Sequence, residues 1–179
     1  MRRVVIADAG PLIGLARIDR LGLLQGLFGR ITLTTEVAQE LLAGGPFPDT
    51  QIIRNALSQP WLKTMNLDDL LPGGAQDQCR DWMHLHQIDL GEASAMVLAR
   101  YFTAQGSDVL LVMDDFRGRN AAQHAGMPLI GATGLLLLAK QMGLIDAVKP
   151  ALLALRQNGY FLSARLIEAA LRQTGELVK

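Results

Sequence analysis

The sequence predicts an α/β protein with three layers, a central, mainly parallel sheet and helices on both of its faces. Short apolar runs rich in β-branched residues alternate along the chain with longer segments that carry an apolar face at helical spacing. Strands and helices that alternate in this way form right-handed βαβ crossovers and bring the strands into one sheet. The run at 109–113, Val-Leu-Leu-Val-Met, is apolar throughout, as in a strand covered by helices on both faces.

Length and composition favour one domain over residues 1–179, with a helical C-terminal extension from about residue 133. Hydrophobic residues make up 50% of the chain and charged residues 19%, which argues against disorder. Lysine plus arginine and aspartate plus glutamate each number 17, so the formal net charge is zero. No global positive field attracts nucleic acid, and any contact with RNA must therefore be local.

The chain carries features of a cytoplasmic protein without membrane association. Cys79 is the only cysteine, which excludes an intramolecular disulfide and favours a reducing compartment. The apolar run after Arg3 is too short for the core of a signal peptide. The longest uninterrupted apolar stretch, 135–139, is far shorter than the roughly 20 residues that span a bilayer.

The first part of the chain predicts three strands separated by helices. Pro11 follows the turn after the first strand and suits the first turn of a helix, while Gly29 and the run Gly44-Gly45-Pro46 end later helices. The predicted strands are 4–7, 31–34 and 61–65, and the predicted helices are one from Pro11 onward, 19–28, 36–42 and 49–58.

A break at Leu71-Pro72-Gly73-Gly74 introduces the more helical remainder of the chain. Gly143 and Gly159 end helices there, and Ser163 is a predicted N-cap. The predicted strands are 109–113 and 127–130, and the predicted helices are 75–87, 91–104, one ending at His124, 133–142, 146–157 and 163–173.

Acidic residues occur where two predicted strands end. Asp8 follows the first strand, and the pair Asp114-Asp115 follows the most apolar one. The carboxyl ends of parallel strands share one edge of the sheet, which is where such sheets bind ligands. Taken alone, Asp8 is better explained as a helix N-cap or turn residue. Two adjacent acids, in contrast, repel each other unless a cation or a basic neighbour compensates.

Two predicted helices carry further acids. Glu36 and Glu40 lie one turn apart, and Glu92 lies in the first turn of an alanine-rich helix, where the helix dipole favours negative charge. A solvated helix face or a first-turn position explains each of them separately. If they converge with the strand-end aspartates, the cluster requires cations, and hard oxygen ligands suit Mg²⁺ or Mn²⁺. Such ions support phosphodiester cleavage by activated water.

Four segments, in this order, make the chain resemble the PIN domain: VVIADAGPLIGLARI, TTEVAQELL, DLGEASAMVLA and VLLVMDDFRGRNAAQHAGMPLIGATGLLLLAKQMGLI. The likeness extends from about Val4 to Gly175 and is to a PIN-like branch related to the VapC-type toxins of bacterial and archaeal toxin-antitoxin pairs. It implies an α/β/α sandwich with a Mg²⁺- or Mn²⁺-dependent endoribonuclease site, RNA as substrate and a cognate antitoxin as partner. We also expect a homodimer.

The resemblance implies a set of site residues. The implied catalytic acids are Asp8, Glu40, Glu92 and Asp114, and the implied metal ligands are Asp8, Glu92, Asp114 and Asp115. Glu36 remains the alternative to Glu40, and Asp115 the alternative to Asp114. The commoner toxin pattern has threonine or serine beside the last acid, whereas this chain continues with Asp-Phe-Arg-Gly-Arg.

Arg117 and Arg119 follow the acidic pair and are candidates for binding RNA phosphates. Pairing with Asp114 or Asp115 is an equally good interpretation. The run Gly131-Ala132-Thr133-Gly134 opens a helix and could bind an anion with backbone N–H groups, but it lacks the full phosphate-loop pattern, so a tight turn is the default interpretation.

Two other functions remain open at this point. The first is a catalytically inactive PIN-like module that binds RNA or a protein partner. The second is a phosphotransfer domain that uses a strand-end aspartate as nucleophile. The second is disfavoured because no further acid lies two positions after Asp8.

Overall fold

The computed structural model describes residues 3–45 and 48–177, and its framework is one sheet of five strands. The strands are β1 (Arg3–Ala7), β2 (Ile31–Thr34), β3 (Leu62–Met65), β4 (Asp108–Val112) and β5 (Leu129–Ile130). They are ordered β3-β2-β1-β4-β5, and every neighbouring pair is parallel. The predicted sandwich is confirmed, with a sheet that is wholly parallel.

Helices cover both faces of this sheet. In the described ranges they are α1 (Ala9–Arg17), α2 (Leu23–Phe28), α3 (Thr35–Ala43), α4 (Pro48–Leu57), α5 (Leu67–Leu70), α6 (Ala75–His86), α7 (Leu90–Ala104), α8 (Phe116–His124), α9 (Ala132–Gln141), α10 (Lys149–Gln157) and α11 (Ala164–Gln173). Successive side chains of β1 point to opposite faces. Val5 and Ala7 join a core with α1, α9 and α10, whereas Ile6 joins a core with α6, α7 and α8.

Four segments differ from the prediction. Helix α10 begins at Lys149 instead of residue 146, and β5 covers only Leu129–Ile130 of the predicted 127–130. Helix α2 begins at Leu23 instead of Asp19, because Asp19 has a φ of 54°, which lies in the left-handed region and outside any right-handed helix. The single-turn helix α5 was not predicted, although Asn66 caps it by accepting a hydrogen bond from Asp68 N at 3.0 Å. Pro46, predicted as part of the break after α3, lies outside the described residues.

No helix within residues 3–45 and 48–177 combines the length and the apolar character that crossing a lipid bilayer demands.

Glu176 fastens the C-terminal segment to the body of the protein. Its carboxylate accepts hydrogen bonds from Lys140 Nζ at 2.7 Å, Val148 N at 2.9 Å and Lys149 N at 2.8 Å. Burial alone would raise the pKa of Glu176, but these hydrogen bonds outweigh it and lower the pKa to about 2. Glu176 therefore links α9 to the start of α10.

We expect Glu176→Gln to lower the free energy of unfolding at pH 7 by about 1 to 3 kcal/mol, because hydrogen bonds to a charged group are lost or weakened. The folded-state pKa lies below the ordinary value of 4.5. The carboxylate's contribution is thus complete above pH 4.5 and declines as the pH falls toward about 2. Urea unfolding at pH 7 and at pH 2.5 measures it.

The control is Glu168→Gln, which removes an exposed ion pair with Arg172 and should change the free energy of unfolding by less than about 1 kcal/mol. If Glu176→Gln lowers the free energy of unfolding by the same amount at pH 7 and at pH 2.5, the charge of the carboxylate does not have the assigned role.

Candidate active site

The order of the strands creates a crevice between β1 and β4. From β1 the chain proceeds through β2 to β3 on one side, and β4 and β5 lie on the other side. Crossovers that diverge in this way leave a crevice outside the carboxyl ends of the two central strands. Asp8 directly follows β1, and its backbone N donates to Val112 O at 2.9 Å. Asp114 lies two residues beyond the end of β4, so both aspartates lie at this edge.

Three carboxylates gather around Gly91 at the start of α7. A Cβ atom built on Gly91 would lie 2.7 Å from Glu40 Oε2, 3.4 Å from Asp89 Oδ1 and 3.5 Å from Asp8 Oδ1. These acids come from three separate parts of the chain, and they approach one another because position 91 has no side chain. The structure thus brings together two predicted site residues, Asp8 and Glu40, and adds Asp89.

Glu36, one turn before Glu40 on α3, has a different environment. It lines a pocket with Leu67, Cys79 and Leu90. Burial raises the pKa of the Cys79 thiol to about 11, and the nearby charge of Glu36 adds to this shift. The Oε2 atom of Glu36 is buried without a hydrogen-bond partner among the described residues. Of the two alternatives on α3, it is therefore Glu40 that meets Asp8.

Asp89 and Glu92 form a capping box at the N-terminus of α7. Glu92 N donates to Asp89 Oδ1 at 2.8 Å, and Asp89 N donates to Glu92 Oε2 at 3.1 Å. The second oxygen of Glu92, Oε1, is buried and has no partner in the part of the chain that the structure describes. It faces Gly118, where a Cβ atom would lie 2.6 Å away. A buried carboxylate oxygen without a partner is costly unless something else satisfies it.

The electrostatics of the cluster favour its neutral form. Burial raises the pKa of Asp8 to about 7; hydrogen bonds from backbone N–H groups oppose this shift, and the charges of Asp89 and Glu40 add to it. Burial also raises the pKa of Glu92 to about 8, again with neighbouring carboxylates contributing. Asp8 is only 7% exposed and Glu92 3%. A cation would reverse this balance by stabilising the charged carboxylates.

Asp114 is held in place by two hydrogen bonds to one oxygen. Its Oδ2 accepts from Ala132 N at 2.8 Å and from the Tyr160 hydroxyl at 2.6 Å. Its Oδ1 lies against Gly131, so closely that a Cβ atom at that position would overlap it. The start of α9 therefore does bind an anion through a backbone N–H, and that anion is a carboxylate of the same chain.

Tyr160 belongs to the candidate site through its hydrogen bond to Asp114, and sequence reasoning missed it. It lies in the connection between α10 and α11, and its ring packs on α1 at Gly14, where a Cβ atom would lie 2.6 Å from Tyr160 Cε2. Burial raises the pKa of the Tyr160 phenol, and the charge and hydrogen bond of Asp114 raise it further, so the phenol stays protonated and donates. Asp114 and Tyr160 are 46 residues apart, and no local pattern links them.

Asp115 serves as the N-cap of α8. Its Oδ1 accepts hydrogen bonds from Arg117 N at 2.7 Å and Gly118 N at 3.3 Å. Its charge nevertheless reaches the cluster, since it contributes to the raised pKa of Glu92. Asp114 and Asp115 thus face different partners, Asp114 at α9 and Asp115 at α8.

The two predicted RNA-binding arginines use backbone carbonyls as partners. Arg117 Nη1 donates to Gln87 O at 3.1 Å, and Arg119 Nη1 donates to Met113 O at 3.0 Å. Neither arginine forms a direct ion pair with Asp114 or Asp115 among the described residues, although Arg119 Nη1 and Asp114 Oδ1 both lie against Gly131.

The donor set of this edge fits a hard divalent cation. It offers carboxylate oxygens, one of them buried without a partner at Glu92, and the space left open at Gly91. Within residues 3–45 and 48–177, however, no three His, Cys, Asp or Glu side chains are already arranged to hold a metal ion. The metal ligands implied by the sequence, Asp8, Glu92, Asp114 and Asp115, therefore stay predictions.

Comparison with known families gives an independent finding. The family model described as DUF3368: PIN domain matches residues 4–176, nearly the whole chain. None of the curated proteins matches the chain.

Proposed function

Because the chain belongs to the PIN-domain family, we propose that it is a metal-dependent endoribonuclease that hydrolyses phosphodiester bonds of RNA. PIN domains are commonly nucleases, so the family supports a hydrolase at the coarse level. The observation that carries the finer proposal is the meeting of Asp8, Glu40 and Asp89 around Gly91 at the crevice between β1 and β4. Crowded carboxylates repel one another when charged, and a shared cation is what allows them to stay charged together.

In this proposal Asp8, Glu40, Glu92 and Asp114 are the acids that hold Mg²⁺ or Mn²⁺. When bound, the cation supplies activation of a water molecule and neutralisation of charge on the phosphate. Binding requires side-chain rotation, since no three His, Cys, Asp or Glu side chains of the described ranges are already arranged to hold a metal ion. Tyr160 and Ala132 N orient Asp114, as hydrogen-bonded neighbours commonly orient ligating carboxylates.

Arg117 and Arg119 are proposed to contact RNA phosphates next to this edge. A guanidinium carries five N–H donors, and each arginine has one recorded bond to a backbone carbonyl. The remaining donors suit phosphate oxygens.

The proposal is tested by two matched variants on one helix. Glu40→Gln should lower RNA cleavage by more than about 100-fold, because it removes a charge that meets Asp8 and supports a shared cation. Glu36→Gln, one turn away in a different pocket, should leave cleavage close to that of the parent. Cleavage of a labelled RNA in Mg²⁺ and in Mn²⁺ measures both.

Calorimetric titration with Mn²⁺ distinguishes the proposed nuclease from a catalytically inactive PIN-like module. The parent and Glu36→Gln should bind Mn²⁺, and Glu40→Gln should bind it more weakly. A parent protein that binds neither Mn²⁺ nor Mg²⁺ and cleaves no RNA would refute the nuclease function.

We further propose that this nuclease is the toxin of a toxin-antitoxin pair, active in the cytoplasm. The support is the sequence resemblance to VapC-type toxins. A short neighbouring gene for a DNA-binding protein whose product suppresses the RNA cleavage would support this role. A neighbouring product without effect on cleavage would count against it.

A further inference from the structure

A groove of about 860 Å³ adjoins the acidic edge of the sheet. We call it the lateral groove. It begins at Gly10, Asp114 and Asp115 and extends over the start of α9 to the connection between α10 and α11. The groove therefore shares Asp114 with the proposed cleavage site, and a chain bound at that site would pass directly into it.

Two phenylalanine side chains line this groove and are largely exposed. Phe161 is 91% exposed and Phe116 is 74% exposed. They belong to segments far apart in sequence, the connection before α11 and the first residue of α8. Single exposed apolar residues are common on protein surfaces. Two exposed aromatic rings in one groove, beside a charged edge, instead indicate a ligand with a flat apolar face.

One cationic side chain of the groove is placed to contact the phosphate of such a ligand, and a polar side chain without a partner lies in its wall. Thr133 lines the groove, is 7% exposed, and its buried Oγ1 has no hydrogen-bond partner among residues 3–45 and 48–177. Arg119 also lines it and presents a guanidinium next to Asp114. The groove thus combines aromatic faces, an unsatisfied hydroxyl and a cationic donor.

We propose that the lateral groove is a subsite for an unpaired RNA base next to the scissile phosphate. The base stacks on Phe161 and Phe116, and Arg119 contacts the adjoining phosphate. Base stacking on aromatic side chains is how proteins bind single strands irrespective of sequence. A base within a duplex is excluded, because its neighbours already cover both of its faces.

This inference rests on the proposed function, and its test therefore measures binding and not cleavage. The protein carries Asp8→Asn to prevent cleavage, and the probe is a short fluorescein-labelled single-stranded RNA of mixed sequence in Mg²⁺ buffer. In this background Phe161→Ala and Phe116→Ala should each weaken binding by about 5- to 150-fold, as expected for one lost stacking partner. Phe161→Trp should bind as tightly as the parent or more tightly.

The matched control is Leu85→Ala, which truncates an apolar side chain that is 76% exposed on α6, away from the groove. Its affinity should equal that of the parent. Two further probes are the same RNA annealed to its complement and an oligonucleotide that lacks the bases. Both should bind weakly, and Phe161→Ala should not lower their affinity further.

Three results would overturn the proposal. The protein carrying Asp8→Asn alone could bind no single-stranded RNA, or the phenylalanine variants could bind RNA as tightly as Leu85→Ala. The third is that the phenylalanine variants lose as much affinity for the oligonucleotide without bases as for the RNA. The last two would leave cleavage by the unsubstituted protein intact and would favour a protein partner in the groove. Absence of cleavage by the unsubstituted protein would instead count against the nuclease function itself.

Discussion

Asp8→Asn is expected to abolish RNA cleavage and, at the same time, to make the metal-free protein more stable at pH 8. The carboxylate is 7% exposed and lies with Glu40 and Asp89 around Gly91. Asparagine keeps the size of the side chain and removes its charge. The loss of activity follows from the proposed cation site, and the gain in stability follows from the relief of a buried charge.

The stability effect has a defined pH dependence. The pKa of Asp8 is raised from 3.8 to about 7 in the folded protein, mainly by burial. Between these two values the folded state binds more protons than the unfolded state, so the free energy of unfolding falls as the pH rises. The amide of the Asp8→Asn variant does not titrate. The advantage of the variant should therefore be small at pH 4 and reach about 2 to 4 kcal/mol at pH 8.

Thermal and urea unfolding in EDTA at both pH values measure this effect, and RNA cleavage in Mn²⁺ measures the loss of activity. Asp146→Asn, a substitution at an exposed aspartate, is the control and should alter neither. Added Mn²⁺ should raise the melting temperature of the parent more than that of Asp8→Asn. Full cleavage by Asp8→Asn would reject the assignment of Asp8 to the site.

Gly91→Ala is expected to remove most RNA cleavage, by more than about 100-fold, while the fold is retained. The added Cβ would lie 2.7 Å from Glu40 Oε2, the end of a flexible and exposed side chain that can move aside. Its other two contacts, with Asp89 and Asp8 at 3.4 and 3.5 Å, are ordinary. Alanine is also favoured over glycine in a helix by about 1 kcal/mol, so the free energy of unfolding should change little.

The comparison for this variant is Gly22→Ala, where a Cβ atom would meet nothing within 4 Å. Circular dichroism should show the same fold for both, cleavage should be normal only in Gly22→Ala, and Mn²⁺ affinity should fall only in Gly91→Ala. Normal cleavage by Gly91→Ala would show that the space around Gly91 is not part of the site.

Much of the fold could be predicted because its signals are local. The apolar run at 109–113 and the β-branched start of the chain predicted the two central strands, and alternation with helices predicted their parallel pairing. The failures were also local in cause. Helix α5 is a single turn, too short for a periodic pattern, and the left-handed conformation of Asp19 is set by the turn before α2.

The site was less predictable, because its contacts join distant parts of the chain. Strand ends pointed to Asp8 and Asp114, and the spacing of Asp89 and Glu92 is that of a capping box. Nothing local distinguished Glu40 from Glu36, since the choice depends on which side of α3 faces Gly91. No sequence signal pointed to Tyr160, because it reaches Asp114 only through the packing of α10 and the segment after it against α1.

The central position of β1 has a consequence for how the chain acquires its structure. Arg3 pairs with Asp108, 105 residues later in the chain. During synthesis β1 leaves the ribosome long before β4 exists, and closing so long a loop costs conformational entropy before any contact compensates for it. Until β4 arrives, one side of β1 exposes unpaired backbone groups, which are open to pairing with other chains.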